Sequence, residues 1–236
     1  MKTIKKNDNF KIVEDEDTKM YTIFFSSTNE EIIRSITKTK IILGASTTEK
    51  FNTLKFKAVS VKSFKEHQEK LELETGTKRL SYESALKMTY NLATQLNYLI
   101  TNYSKTFLGY SIENLIVIDN NKFVYLSNEY MFDIDDEKII ITLPFSQKDI
   151  MITPELLKIK KLPSIVNYKV SYYNFGYLIL YGLTGEDNLM NSDEESKSKE
   201  MLRSQMERKE IKNTKLYWLI ERCLVEEPNN RSIIFI

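Results

Sequence analysis

One cysteine, one histidine, six glycines and four prolines in 236 residues each close off a class of chemistry. With Cys223 alone there is no intrachain disulfide and no cysteine-built metal cluster. With His67 alone the familiar zinc sets are excluded, and any Ser/His or Cys/His nucleophilic pair has to use that one imidazole. No glycine precedes Gly44, so the N-terminal region has no glycine-rich loop to bring backbone N–H groups against phosphates. Charge of one sign is missing too: 34 basic against 33 acidic residues leave a net charge of +1, which gives no support for a nucleic-acid or membrane-surface partner. Met1 to Phe10 is lysine-rich but leads into no apolar run of signal-peptide length, so a reducing, intracellular compartment is the expectation.

The most distinctive stretch is Tyr168 to Gly185. Only Ser171, Asn174 and Thr184 interrupt its apolar and aromatic side chains, so as a helix it has no wet face and must be buried. It is shorter than the about 20 apolar residues a bilayer span needs, so its burial is in protein. Gly176 and Gly182 inside it each cost about 1 kcal/mol relative to Ala, which marks them as places where another backbone comes close. Gly185 reads as the helix stop.

Around this post the chain reads in order. Phe10–Glu14 and Met20–Phe25 form a hairpin across the acidic turn Asp15-Glu16-Asp17. Asn29-Glu30-Glu31 caps a helix carrying Ile32, Ile33 and Ile36, and Lys40 to Leu43 continues it or starts a strand. Alternation from Leu54 to Val61 predicts a half-buried strand, so the first 75 residues are a small sheet with a helix. Ser81 caps a helix of about six turns that ends near Tyr103. Two hairpins follow, Leu115–Ile118 with Phe123–Leu126, and Tyr130–Ile134 with Ile139–Leu143. Thr153-Pro-Glu155 opens a short helix, with Pro at its first position. After the buried helix, residues 186–199 are polar and acidic and read as a surface loop containing Ser192. A last helix carries Leu216, Leu219, Ile220, Cys223 and Leu224 on one face, with Cys223 a packing residue.

In that order, the chain from about Ser81 onward resembles the C-terminal lobe of a protein kinase. Thr153-Pro-Glu155 is similar to Ala-Pro-Glu, and Cys223-Leu-Val-Glu-Glu-Pro-Asn-Asn-Arg231 to Cys-Leu-x-x-Asp-Pro-x-x-Arg. The spelling at Tyr172 to Gly176 and Thr214 to Tyr217 is similar to kinase-like proteins of giant DNA viruses. The resemblance implies an α+β, kinase-like fold, with residues 1–76 as a reduced, distorted N-lobe and 77–236 as a mainly helical C-lobe. It also implies a structural ion pair of Glu155 with Arg231, and makes Gly176 of the buried helix a structural position.

The chemistry of that family is not spelled out. In place of His-Arg-Asp-Leu-Lys-Pro-Glu-Asn stands Phe107-Leu-Gly-Tyr-Ser-Ile-Glu-Asn114, so Gly109 replaces the catalytic Asp, Ser111 the Lys, and only Asn114 keeps its identity. Ser127-Asn-Glu129 occupies the place of Asp-Phe-Gly, and Lys57 and Lys62, the candidates for the phosphate-pairing lysine, read as the wet face of a strand. Asp133, Asp135, Asp136 and Glu137 are dense enough to hold a hard cation, yet they sit where a hairpin turn favours Asp anyway. The expectation is therefore a pseudokinase: no catalytic residue, no metal and no cofactor, acting as a scaffold for protein partners, with no nucleic acid or membrane. A minor structural component of a virion and a divergent Ser/Thr kinase are the alternatives.

Overall fold

The computed structural model describes residues 1–145, 150, 153–185, 203–208 and 211–233. Three strands open the chain, β1 (Lys2–Lys6), β2 (Phe10–Asp15) and β3 (Met20–Phe25), followed by a helix, α1 (Glu30–Thr37), and two more strands, β4 (Ser46–Thr47) and β5 (Thr53–Lys57). They pair antiparallel in the order β1-β2-β3-β5-β4. Alternation explains the sheet: Phe10, Ile12, Tyr21, Ile23, Leu54 and Phe56 turn to the core, whereas Lys11, Lys55 and Lys57 stay in water. The lysine-rich β1 lies at one sheet edge, where charge discourages pairing with other chains.

The second part is mainly helical. A short strand β6 (Val61–Ser63) leads into α2 (Phe64–Thr75), and then comes the 22-residue α3 (Tyr82–Tyr103). Beyond them lie β7 (Lys105–Phe107), β8 (Leu115–Ile118), β9 (Lys122–Tyr125), β10 (Met131–Asp133) and β11 (Lys138–Ile141). The chain continues through α4 (Pro154–Leu157), β12 (Ser164–Asn167), α5 (Val170–Thr184) and α6 (Lys215–Cys223). Every residue of α5 except Tyr172 is buried, and Gly185 ends it in the left-handed conformation at φ 64°. One hydrophobic cluster runs without a break from Phe10 in the sheet through α3 to Cys223 in α6. A second gathers Leu108, Ile139, Ile141, Ile150, Leu156, Val166 and Val170.

Several local expectations change. The predicted strand Leu54–Val61 breaks at Ala58–Ser60: β5 stays in the first sheet, and β6 pairs with β8 in the second part. The strand pairing therefore passes from the first sheet to the second between Lys57 and Val61. The hairpin of Tyr130–Ile134 with Ile139–Leu143 does not form. Its turn is there, with Asp136 and Glu137 at positive φ and Asp135 bridged to Lys138, but the strands then separate, β10 to β7 and β11 to β12. Lys40 to Leu43 is neither helix nor strand, because Lys40 turns to φ 58° and drops Ile41 and Ile42 into the core. α2 and β1 were not anticipated by the hydrophobic pattern. Residues 186–199, Ser192 included, lie outside the described residues.

Candidate functional site

The segment 107–114 runs from β7 through a short 3-10 turn into β8. Its aromatic residues anchor it: Tyr110 is buried, with ring centroids 5.3 Å from Phe107 and 5.0 Å from Tyr125. Gly109 is required by space, since a Cβ there would lie 2.8 Å from the Cβ of Ile150. Burial pushes the Tyr125 hydroxyl up to about 12, with the Ser111 N–H and the Asn114 side chain pulling the other way. Tyr125 therefore stays neutral, accepting from the Ser111 N–H at 3.3 Å.

Asn114 is 4% exposed at the bottom of this turn, its carbonyl accepting from the Leu126 N–H at 3.0 Å. Its side-chain oxygen is met from the first sheet. The tip of the β1–β2 hairpin, Asn7-Asp8-Asn9, reaches across, and Asn7 Nδ2 donates to Asn114 Oδ1 at 3.0 Å. Asn9 Nδ2 lies 3.4 Å from the same oxygen and 3.3 Å from Glu129 Oε2, while Lys5 pairs with Glu113 at 3.3 Å. The tip is itself braced. Asn7 Oδ1 accepts the N–H groups of Asn9 at 3.0 Å and Phe10 at 2.9 Å, and the Ser26 N–H donates to Asn9 O at 3.0 Å. Neutral side-chain hydrogen bonds contribute about 0.5–1.5 kcal/mol each and those to a carboxylate about 1.5–3, so the tip is held in place by a few kcal/mol in all.

Several of the other candidate charges pair elsewhere in the fold. Ser127 is buried, its hydroxyl accepting from the Glu129 N–H at 3.2 Å. β3 contains no lysine; Lys19, just ahead of it, binds Glu14 at 3.0 Å together with the Tyr21 hydroxyl, and the two hold that carboxyl below its ordinary value. Lys57 is exposed, and Lys62 is half-buried with its ammonium lowered by burial and by Lys70. Glu31 on α1 pairs with Lys105 at 3.3 Å, as does Asp133 at 3.4 Å, and Asp136 lies 3.8 Å from Lys138. Among the described residues no three His, Cys, Asp or Glu side chains converge to hold a metal ion.

The remaining named residues form a structural knot. Arg231, 1% exposed, donates to Glu155, to Val225 O at 2.7 Å, to Glu226 O at 2.8 Å and to Lys169 O at 3.3 Å. Its guanidinium also stacks 5.0 Å from the Tyr173 ring. Thr153 caps α4, accepting the Leu156 N–H at 3.3 Å, and so fixes where Glu155 projects. Gly176 lets α6 close on α5: a Cβ at this position would lie 2.5 Å from the Cβ of Cys223. At Gly182 the backbone of Leu80 does come close, its N–H donating to the Gly182 carbonyl at 2.8 Å, while a Cβ would face the Leu80 and Met88 side chains.

Sequence reasoning singled out Asn114, Glu155, Gly176 and Arg231 but missed Asn7 and Asn9. The signal available was a three-residue polar turn, Asn-Asp-Asn, ahead of an apolar strand. Its contact lies 107 residues away. No protein-family model matches the chain, and no curated protein matches it either. Fold and site together define a mixed α+β protein, with a β-sheet N-terminal region capping a helical C-terminal part. No helix among its described residues is long and apolar enough to cross a membrane.

Proposed function

We propose that this chain is a kinase-like protein without phosphoryl-transfer chemistry, and that it works by binding other proteins. The observation that carries the reading is the closed junction at Asn114. In a kinase a glycine-rich loop covers the phosphates, a lysine of the third strand pairs with a glutamate on the following helix, and carboxylate and Asn ligands hold magnesium. In this chain the corresponding hairpin tip is Asn7-Asp8-Asn9, and its amides occupy Asn114 directly. The third strand supplies no lysine, and Glu31 of α1 is taken by Lys105. The knot of Arg231 and Glu155, and Gly176 against Cys223, support the kinase-like arrangement of the helical part.

A nucleotide would have to displace the hairpin tip before meeting Asn114. The test is a thermal-shift titration with ATP, with and without magnesium. A ligand present at 100 times its Kd stabilises the folded state by about 2.7 kcal/mol, which for a chain of this size raises Tm by roughly 5–11 °C. The expected result is no shift at millimolar ATP under either condition. A saturable, magnesium-dependent rise in Tm would overturn the closed-junction reading and reopen the divergent-kinase alternative.

A further inference from the structure

The ribbon of β11 and β12 places Ile140 directly opposite Ile165. Both point outward, 53% and 65% exposed, while Ile139, Ile141 and Val166 face the core. Leu143 and Leu162, beyond the paired segment at one end of the ribbon, are exposed as well. Among the described residues β12 pairs with β11 alone, so its other edge is unpaired. A single exposed aliphatic residue is ordinary; an outward cross-strand pair of isoleucines beside an open strand edge, with two exposed leucines just past the strand ends, forms a surface that natural proteins keep covered.

Charge says what covers it. At the Leu143/Leu162 end the exposed Lys158, Lys160 and Lys161 enter no ion pair among the described residues. At the other end, where Lys138 faces Asn167, the turn displays the exposed carboxylates of Asp135, Asp136 and Glu137. The ribbon is thus basic at one end, acidic at the other and apolar between. A two-fold axis through the β12 edge runs two copies antiparallel, because an isologous contact sets each patch against itself in reverse. It brings Ile165 beside its symmetry mate and lays each lysine end along the partner's acidic turn.

We propose that the chain forms a symmetric dimer in which two β12 edges join the ribbons into one four-stranded sheet. The surface shares no residue with the Asn114 site, so the inference stands whether or not that site takes a nucleotide. Sedimentation velocity of the full chain at concentrations up to the order of 100 µM reads the assembly directly. Three variants at exposed positions test its geometry: Ile165→Lys, the double reversal Lys160→Glu with Lys161→Glu, and the opposite reversal Asp135→Lys with Glu137→Lys. Each is expected to keep the wild-type Tm measured in the monomeric range and to weaken the dimer by about 10-fold or more. Mixing the two charge-reversed proteins should restore a dimer, since each end then meets its complement again. A wild-type monomer across this range, a dimer indifferent to Ile165→Lys, or a mixture that fails to reassemble would each overturn the proposal.

Discussion

Replacing Arg231 by Ala should be among the most damaging single substitutions in the molecule. The guanidinium side chain is fully buried and the Glu155 side chain 16% exposed, so removing the cation strands a carboxylate that water reaches only in part. Breaking a buried pair from one side costs about 3–5 kcal/mol, because the remaining charge is uncompensated. Three carbonyls, of Val225, Glu226 and Lys169, lose their donor as well. The space vacated is polar and large enough for water, which offsets part of that loss, so the total stays near about 3–5 kcal/mol instead of adding a full penalty per carbonyl. Against a whole-domain stability of about 5–15 kcal/mol this is a large share, and it corresponds to a fall in Tm of roughly 6–20 °C. Arg231→Lys should recover less than half, since an ammonium cannot reproduce the fork that serves four acceptors. Glu155→Gln should cost only about 1–3 kcal/mol, because it keeps an acceptor oxygen and leaves the cation among carbonyl dipoles. Urea unfolding of all three variants measures this. An Arg231→Ala midpoint equal to wild type, or a Glu155→Gln loss exceeding that of Arg231→Ala, would refute the reasoning.

Other outcomes follow from single distances and environments. Gly176→Ala sets a methyl 2.5 Å from Cys223 Cβ and should destabilise by about 1–3 kcal/mol in urea unfolding. Adding Cys223→Ala should give no rescue, since the colliding atom is Cβ and not sulfur. Burial pushes the Cys223 thiol up to about 12, so a thiol reagent should label it only at the rate of unfolding; fast labelling of native protein would contradict its placement. His67 is buried with Nδ1 unpartnered, and burial, then Lys62 and Lys70, lower its pKa from 6.5. The unfolded chain therefore takes up that proton first, so stability is complete above 6.5 and is lost as pH falls through the lowered value. The Tm of His67→Leu should fall less steeply than wild type from about pH 7 to about pH 5, and parallel slopes would show that His67 is not the group responsible.

What the sequence made legible is what depends on near neighbours. α3 and α5 were readable because apolar residues recur at helical spacing or fill the whole circumference, and the β8–β9 hairpin because its turn joins strands that do pair. The α2 helix escaped because it buries only Phe64, His67 and Gln68, too few to mark a face. Its one clear sign was the capping box of Ser63 with Glu66. At α1 the expected cap takes another role: the Asn29 side chain makes no cap bond and donates to Leu126 O at 3.2 Å. The turn at Asp135 was visible in composition, yet the partners of β10 and β11 were settled by distant segments that no local pattern announces. Likewise the approach of Asn7 to Asn114 has no local mark. That of Glu155 to Arg231 was suggested by family likeness, not by any rule of spacing.

The dependence of α5 on α6 and Arg231 also orders events during synthesis. Glu155 is made 76 residues before Arg231, an interval of about 4–15 s at 5–20 residues per second. Over the last 47 residues of that interval, from Thr184 to Arg231, the nascent chain carries a complete α5 whose covering helix and counter-charge are still being made. A polypeptide interrupted before residue 215 would leave that helix covered by α3 but permanently bare on the side that α6 packs. Such a fragment is expected to be a chaperone client or an aggregate, and not a smaller working version of the protein.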